Sequence, residues 1–375
     1  MDLDKINTPC YLIDERSLIR NLEILKGVKD RTGAKILLAQ KAFAVFSVYP
    51  LLAKYLDGTT ASGLFEARLG YEEMGKEVHI FSPAYKDEEF DEILSICDHI
   101  VFNSFTQWNK FGGSAAANKK SCGIRINPEF STQVSNIYDP CAPGSRFGVT
   151  AANFPETLPQ GIEGLHFHTL CEQNSDDLAK TLEAVESKFG KHLHNIKWLN
   201  FGGGHHITRD DYDIDLLCAC IDKMQTKYGL EIYLEPGEAV ALNAGYLVAT
   251  VMDSVENGGV TNLILDTSAA CHMPDVLEMP YRPPCIGSDL PFVKKFTYRL
   301  TANTCLAGDV IGDYSFDNKI TIGHKLVFCD MAHYTMVKNN MFNGINLPSI
   351  KKIDLDGNIV NIKEFCYSDY KNRLS

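Results

Sequence analysis

The chain has 375 residues, 45% hydrophobic and 22% charged, a composition that excludes a disordered chain, a collagen and a coiled coil. Its 36 Lys and Arg against 48 Asp and Glu give a net charge of −12, which argues against a nucleic-acid-binding protein and suits either a cationic ligand or simple solubility. It contains no run near the ~18 apolar residues of a membrane span and no secretory signal, and its 12 scattered cysteines without a CxxC pair predict a cytoplasmic protein with free thiols.

The first 240 residues alternate between short apolar or β-branched runs and helix-length segments. The eight predicted strands are 35–40, 59–62, 78–82, 100–103, 122–127, 164–168, 197–201 and 231–235. The helical segments between them include 45–55, 66–74, 87–96, 176–189 and 214–227. Eight alternations predict an α/β fold with a TIM-type (β/α)8 barrel over residues 14–240, and an open doubly wound sheet is the alternative.

The barrel is favoured because polar or charged residues and a glycine lie at the ends of the predicted strands, where the active sites of such barrels are found. These residues are Lys41, Ser104, Asn127, His168, Gly202 and Glu235. The stretch 112–120 is predicted to be an exposed loop or the start of a helix.

After residue 240 the helical periodicity fades and short strand-like runs follow one another, separated by Gly, Pro and Asp. The predicted strands are 246–252, 262–266, 297–300, 319–321 and 325–330. Residues 9–13 are also strand-like and can join them. We therefore predict a second, β-rich and β-barrel-like domain made of residues 1–13 and 241–375.

Lys41 and three consecutive glycines are the first candidate site residues. A lysine at the mouth of a barrel can have a low pKa through desolvation, which frees the amine to form a Schiff base with an aldehyde. The alternative is a solvent-facing lysine.

The glycines at 202–204 let backbone amides approach an anion closely, or they form a tight turn. His205 and His206 follow them, but without a third ligand at convincing spacing we predict no metal.

Glu235 ends the eighth predicted strand in the sequence EPGE, and Glu238 follows one short turn later. A carboxylate here can hold a protonated ring nitrogen, and two neighbouring acids suit a cation. The alternative is a turn with solvated acids.

His166 and His168 share one face of the sixth predicted strand. One imidazole there can stack on a planar cofactor, or it can be a core histidine.

Two segments stand out in the second domain. The first, NTCLAGD, contains Cys305 and Asp309, and the second, MAHYT, contains Tyr334. Cys305 can be a proton donor or a buried apolar thiol, and Tyr334 can bind a phosphate or simply pack.

The order of these motifs along nearly the whole chain resembles the pyridoxal-phosphate decarboxylases with an alanine-racemase-like barrel, which include the ornithine, diaminopimelate and arginine decarboxylases. Within that family the chain is most similar to the carboxynorspermidine/carboxyspermidine decarboxylase group. The motifs that carry the resemblance are AQKAF, GLHFHTLCE, NFGGGHHIT, EPGEA, CHMPDVLEMPYRP and CLAGDVIGDY.

The resemblance implies a role in cofactor binding for three barrel residues. Lys41 binds pyridoxal phosphate covalently and is catalytic. Glu235 keeps the pyridine nitrogen protonated, so that the ring accepts electrons. His168 stacks on the face of the ring, although the sequence alone leaves His166 as the other candidate.

The resemblance also implies how the phosphate and the reacting carbon are held. The amides of Gly203 and Gly204, with Tyr334, bind the phosphate. Cys305 and Asp309 reach the active site from the partner subunit of a homodimer with shared sites. There Cys305 is catalytic, helping to protonate the carbanion, and Asp309 binds the substrate.

Departures from the family pattern indicate the substrate. Members usually carry arginine after glutamate-proline-glycine, where this chain has Glu238. At ~4 Å and an effective dielectric of ~20, each unit interaction is worth about 4 kcal/mol before desolvation, so an amine is favoured over an acid. Leu306 replaces the glutamate of the diaminopimelate enzymes. Asp275 is a second acid that this group places near the amines of the substrate.

The expected activity is therefore decarboxylation of carboxynorspermidine or carboxyspermidine to norspermidine or spermidine, in polyamine biosynthesis. These substrates differ by one methylene, worth only ~1–3 kcal/mol, so both are retained. The alternatives are a decarboxylase of diaminopimelate, ornithine or arginine, a racemase, a non-catalytic pyridoxal-phosphate-binding protein and an interaction module on a barrel scaffold.

Overall fold

The computed structural model describes residues 3, 6–133 and 136–375. They fall into two compact units. The barrel unit is Arg20–Val240, and the sheet unit comprises the described residues of Met1–Ile19 together with Ala241–Ser375. No helix within the described part of the chain is both long and apolar enough to cross a membrane.

The strands, in chain order, are β1 (Cys10–Asp14), β2 (Lys35–Ala39), β3 (Gly58–Ala61), β4 (Glu77–Ser82), β5 (His99–Phe102), β6 (Ser121–Asn127), β7 (Val149–Thr150), β8 (Ile162–His166), β9 (Trp198–Asn200), β10 (Glu231–Leu234), β11 (Gly245–Asn257), β12 (Val260–Leu265), β13 (Ser288–Asp289), β14 (Phe296–Thr301), β15 (Val310–Phe316), β16 (Lys325–Cys329), β17 (Ser349–Ile353) and β18 (Ile359–Lys363). The α-helices are α1 (Glu15–Thr32), α2 (Tyr49–Leu52), α3 (Leu64–Glu73), α4 (Asp87–Ile96), α5 (Phe105–Ala117), α6 (Ser175–Leu193), α7 (Ile214–Tyr228), α8 (Glu238–Ala241), α9 (Ala269–His272), α10 (Asp275–Glu278), α11 (Thr335–Lys338) and α12 (Tyr367–Lys371).

The barrel is a closed ring of eight parallel strands. Neighbours pair in the order β2, β3, β4, β5, β6, β8, β9, β10, and β10 returns to β2 with Tyr233 opposite Lys35. The strands are short and nearly continuous in apolar residues, as in β2 (KILLA), because both faces of a barrel sheet are covered. The closure confirms the predicted TIM-type barrel and excludes the open sheet.

The prediction for 112–120 was partly wrong, because α5 extends to Ala117. Ser104 begins this helix: its hydroxyl accepts a hydrogen bond from the Gln107 amide at 3.2 Å. Capping satisfies an otherwise unpaired helix N–H, so this polar residue after a strand has a structural explanation. Trp108 and Phe111 bury one face of the helix, while the small residues that suggested a loop lie mainly on the other.

The sheet unit is a mixed sheet in the order β13, β15, β14, β12, β11, β1, β17, β18, with β16 also paired to β11. β1 lies antiparallel to β11 and parallel to β17, which confirms that residues 9–13 join the second domain's strands. The strand predicted at 319–321 is wrong. Ile320 is apolar because it is buried in the core, but its amide donates to the Tyr298 hydroxyl instead of to a strand.

Candidate active site

Lys41 follows β2 at the C-terminal end of the barrel, and its side chain is exposed to solvent. The surrounding protein nevertheless desolvates the amine, and this desolvation, followed by the charge of Arg125, lowers the pKa of Lys41. Lys41 thus remains accessible although much protein surrounds its amine. A lower pKa makes the neutral, nucleophilic form of the amine easier to reach.

Arg125, on β6, is a buried cation that the sequence analysis missed. Its guanidinium carbon lies 4.6 Å from the ring centre of Phe81 and 4.5 Å from that of Phe147, and one nitrogen donates to the carbonyl of His168 at 3.1 Å. Desolvation lowers its pKa to about 10, which leaves it charged at neutral pH. The one signal in the sequence is an arginine inside the otherwise apolar strand SCGIRIN.

Glu235 follows β10 and is 8% exposed. One carboxylate oxygen accepts from the Asn200 amide at 2.8 Å, and the other lies 3.2 Å from His166 Nε2. Burial alone would raise the pKa of Glu235, but the contacts with His166 and Asn200 outweigh it and lower that pKa to about 2. The barrel therefore holds a buried, ionised carboxylate.

The two histidines of β8 and its following turn have different surroundings. The His166 ring stacks on Phe81 at 5.5 Å and contacts Glu235, whereas His168 is half-buried. The Gly203 N–H donates to His168 Nδ1 at 2.9 Å, which leaves the proton of the neutral ring on Nε2. Desolvation, followed by the charges of Lys41 and Arg125, lowers the pKa of His168 well below its usual value. His168 is thus the more accessible neutral ring.

The turn formed by residues 202–204, called the glycine turn below, is fixed by hydrogen bonds from several elements. Gly202 donates to the Asn200 side chain at 2.8 Å, and its carbonyl accepts from the Glu235 amide at 2.8 Å. The Gly203 amide, predicted to bind a phosphate, already donates to His168. Gly204 has a left-handed φ of 81°, and a Cβ added there would lie 1.9 Å from the Leu170 carbonyl oxygen.

Gly204→Ala should destabilise the barrel by roughly 2–4 kcal/mol, because the left-handed backbone and the clash with backbone atoms both add cost. Guanidinium denaturation followed by circular dichroism measures the change. Gly27→Ala, in α1 with open space around the added methyl, is the matched control and should be neutral or stabilising. An equal stability for Gly204→Ala and wild type would contradict this description of the turn.

Glu238 and His206, the second histidine after the glycines, come together at the start of α8. His206 is 6% exposed, and its Nε2 lies 3.3 Å from a Glu238 carboxylate oxygen. Glu172 adds a second carboxylate, and the three groups each place one ligand atom within 4.8 Å of the others. The spacing along the sequence showed no third ligand for His206, because Glu172 and Glu238 approach it only in the folded chain; the absence of a metal stays a prediction.

In the sheet unit, the carboxylate of Asp309 is buried and is hydrogen-bonded to neighbouring residues of the same unit. It accepts hydrogen bonds from Ser268 and Thr304 at 2.6 and 2.5 Å and from the Ala270 amide at 3.1 Å. Cys305 is exposed, so it is not the buried apolar thiol that the sequence allowed. The structure thus gives Asp309 a positioning role for the loop that presents Cys305.

Asp275 and Tyr334 are the other two predicted site residues of the sheet unit. Asp275 accepts from the Lys338 ammonium at 2.5 Å, and Lys338 also contacts Glu278. A substrate amine at Asp275 would compete with this lysine. Tyr334 is half-buried at the start of α11 and has a left-handed φ of 50°. Their roles in binding substrate and phosphate stay predictions.

Comparison with known proteins gives the family. The family model described as "Pyridoxal-dependent decarboxylase, C-terminal sheet domain" matches residues 10–332. The carboxynorspermidine/carboxyspermidine decarboxylase of Campylobacter jejuni is 45% identical over 384 residues, with 100% of both chains covered. The carboxyaminopropylagmatine decarboxylase of a Synechocystis species is 42% identical, covering 99% of this chain and 96% of the relative.

Among solved structures, the crystal structure of the Campylobacter jejuni carboxynorspermidine decarboxylase complexed with norspermidine superposes with a TM-score of 0.92. It is 45% identical, and the match covers 98% of this chain and 100% of that one. The resemblance inferred from the motifs is thereby confirmed. A matching family model over most of the chain, full-length relatives and a common fold lead to one conclusion: the chain belongs to the family of pyridoxal-dependent decarboxylases.

Proposed function

We propose that this enzyme decarboxylates a carboxylated polyamine, carboxynorspermidine or carboxyspermidine, to yield CO2 and norspermidine or spermidine. The observation that carries the proposal is Glu238, a half-buried acid at the barrel mouth where the family pattern has arginine. An acid there attracts a substrate ammonium and repels a distal carboxylate. The relative from Campylobacter jejuni, named for these two substrates and matching over its full length, supports the same substrates.

Pyridoxal phosphate is the cofactor of this family, and the residues of the barrel mouth fit it. Lys41 is a desolvated, accessible amine, as a lysine that binds an aldehyde must be. Glu235 is an ionised acceptor that uses one contact on each oxygen and so retains lone pairs for a protonated ring nitrogen. His168 presents a neutral ring. When bound, pyridoxal phosphate supplies an electron sink for the carbanion that loss of CO2 creates.

The side chains of the site have different roles in the proposed reaction. Lys41 would hold the cofactor. Glu235 would keep the ring nitrogen protonated, since its carboxylate stays ionised throughout the neutral range. Arg125 supplies a positive charge that favours the neutral form of Lys41. Cys305 would deliver a proton to the carbon that has lost CO2, and its thiolate would take up a proton from solvent.

We propose that the active protein is a homodimer in which each subunit lends its Cys305 loop to the other. This loop is exposed, and its neighbour Leu306 is 44% exposed although it is apolar. Phe292 and Val293 in the same unit are 87% and 60% exposed. Such apolar exposure is typical of a subunit interface. Analytical ultracentrifugation of the holoenzyme should give about twice the chain mass.

We propose a cytoplasmic location. All twelve cysteines of the chain are free, which favours a reducing compartment.

The substrate proposal is tested by CO2 release from the holoenzyme with carboxyspermidine, carboxynorspermidine, carboxyaminopropylagmatine, ornithine, arginine and meso-diaminopimelate. We expect the carboxylated triamines to exceed the amino acids at least tenfold in kcat/KM, about 1.4 kcal/mol of transition-state binding. A preference for carboxyaminopropylagmatine is the second candidate, because the Synechocystis relative of that name is nearly as similar. Faster turnover of diaminopimelate would overturn the interpretation of Glu238.

Replacing Glu238 tests that residue directly. Glu238→Gln should raise the KM for the triamine about 10- to 100-fold, because a charge-assisted hydrogen bond contributes about 1.5–3 kcal/mol. Glu238→Arg should cost more, since it adds repulsion. The affinity for pyridoxal phosphate, followed by its absorbance, should change less than twofold. Equal losses of substrate and cofactor binding would assign Glu238 to the cofactor instead.

A further inference from the structure

Glu172, which the sequence analysis did not single out, lies beside Glu238 in the barrel unit. Glu172 has a left-handed φ of 53° in the turn after β8. The next residue, Gln173, donates its amide to the Gly204 carbonyl at 3.0 Å and accepts from the His206 amide at 3.1 Å. These backbone bonds hold the Glu172 turn against the glycine turn, so that a carboxylate from one strand end meets the histidine from another.

His206 is oriented by a fixed donor. The Arg209 guanidinium lies 3.2 Å from His206 Nδ1, and because arginine can only donate, Nδ1 accepts. Nε2 therefore carries a proton. This buried nitrogen has no hydrogen-bond partner among the described residues and lies 3.3 Å from a Glu238 carboxylate oxygen. His206, Glu172 and Glu238 each place one ligand atom within 4.8 Å of the others, so a buried polar group lies at the carboxylate pair.

Arg209 itself is held in place from several sides. It donates to Asp211 at 2.6 Å, to the Asn174 side chain at 2.6 Å and to the Glu172 carbonyl at 3.5 Å. The Arg209 guanidinium is therefore paired with Asp211 and turned toward His206 Nδ1. The carboxylates of Glu172 and Glu238 lie close to each other and to the same imidazole, an arrangement that suits a ligand with several N–H donors.

The turn that precedes Glu238 packs against the segment that carries Lys41. The Ala39 amide donates to the Pro236 carbonyl at 3.0 Å, and a Cβ added at Gly237 would lie 2.6 Å from the Ala42 Cβ. Lys41 lies between Ala39 and Ala42 in the chain, so Glu238 follows directly on a turn in contact with the lysine segment.

We propose that Glu172 and Glu238 together bind an ammonium group of the substrate, and that His206, fixed by Arg209, is a positioning residue for Glu238. The ligand class is a chain with an amine several bonds beyond the reacting carbon. Glu172 is then a specificity-determining residue. This inference rests on the function proposed above and deepens it, by adding a second carboxylate to the one already assigned.

A divalent cation is the competing occupant of the cluster, and the hydrogen bonds argue against it. His206 would have to lose its Nε2 proton to ligate a metal. An organic ammonium requires no such change, because it donates hydrogen bonds to both carboxylates.

The experiment compares Glu172→Gln with Glu183→Gln, an exposed acid on α6 that serves as the matched control. Each holoenzyme is assayed for the KM and kcat of carboxynorspermidine and for inhibition by norspermidine. We expect Glu172→Gln to raise the KM and the norspermidine inhibition constant at least tenfold, with kcat and pyridoxal-phosphate absorbance within twofold of wild type. Glu183→Gln should match wild type in all four quantities.

Two further variants separate positioning from simple loss of structure. The double variant Glu172→Gln/Glu238→Gln should be less impaired than the product of the single effects, because both acids hold one ammonium. His206→Gln keeps an N–H donor and should lose less affinity than His206→Phe, with kcat little changed in both. Equal effects of the two histidine variants, or fully multiplicative glutamate effects, would contradict the proposed arrangement.

The outcomes distinguish this inference from the proposed function. If wild type fails to decarboxylate the triamine, the proposed function falls. If wild type is active and Glu172→Gln keeps the wild-type KM, only the inference falls. Loss of activity in EDTA that Zn2+ restores would show a metal at the cluster and would also overturn it.

Discussion

Lys41→Ala should lower turnover roughly 10^4-fold or more, because it removes the group that holds the cofactor and exchanges with the substrate. The surroundings of the lysine side chain, first desolvation and then Arg125, also shift its pKa downward. The variant should bind pyridoxal phosphate without the absorbance of the lysine adduct. Single-turnover CO2 release and the cofactor spectrum measure both effects.

Two controls accompany this variant. Lys54→Ala removes an exposed lysine of the same unit and should leave activity unchanged. Lys41→Arg keeps the positive charge without a nucleophilic amine and should be as inactive as Lys41→Ala. An active Lys41→Arg enzyme would mean that the residue acts through its charge alone.

Glu235→Gln should lower kcat about 10^2- to 10^4-fold while the protein still binds cofactor, because an amide cannot hold the ring nitrogen in its protonated state. Since the pKa of Glu235 is about 2, its ionisation should not limit the rate at any pH above ~4. The pH profile of kcat for the wild-type holoenzyme checks this point. Glu183→Gln again serves as the control.

Stability should also depend on pH through Glu235. Its pKa falls from 4.5 to about 2 on folding, so the ionised carboxylate stabilises the folded state above the unfolded-state value. That contribution is lost as the pH falls from 4.5 toward 2. The stability difference between wild type and Glu235→Gln, measured by denaturant titration, should therefore narrow over this range. A constant difference would show that the pKa of Glu235 does not change on folding.

Much of the barrel could be predicted because its strands carry a local signal. Runs such as KILLA and EIYL are apolar along their whole length, which parallel strands covered on both faces require. Lys41, His168, Gly202 and Glu235 were singled out because each lies at the end of such a run or directly after it. Their position in the chain was enough to place them at one end of the barrel.

Other features have no local signal, because they depend on residues that are distant in the chain. Arg125 was missed since only the folded barrel shows that its charge lies beside Lys41. The ionised state of Glu235 depends on His166 and Asn200, which come from two other strands. The sequence around Glu172 does not distinguish it from other acids in turns. Only the structure shows that the turn containing Glu172 is hydrogen-bonded to the glycine turn.

The sequence by itself thus determined the fold class and the family and predicted the role of Lys41, because these follow from periodicity and from motifs of adjacent residues. The tertiary structure alone decided the partners of each charge: Asp275 with Lys338, Asp309 with its own loop, and Glu238 with His206. The physical reason is that protonation and hydrogen bonding depend on distance in space, and folding brings together groups that are tens to hundreds of residues apart.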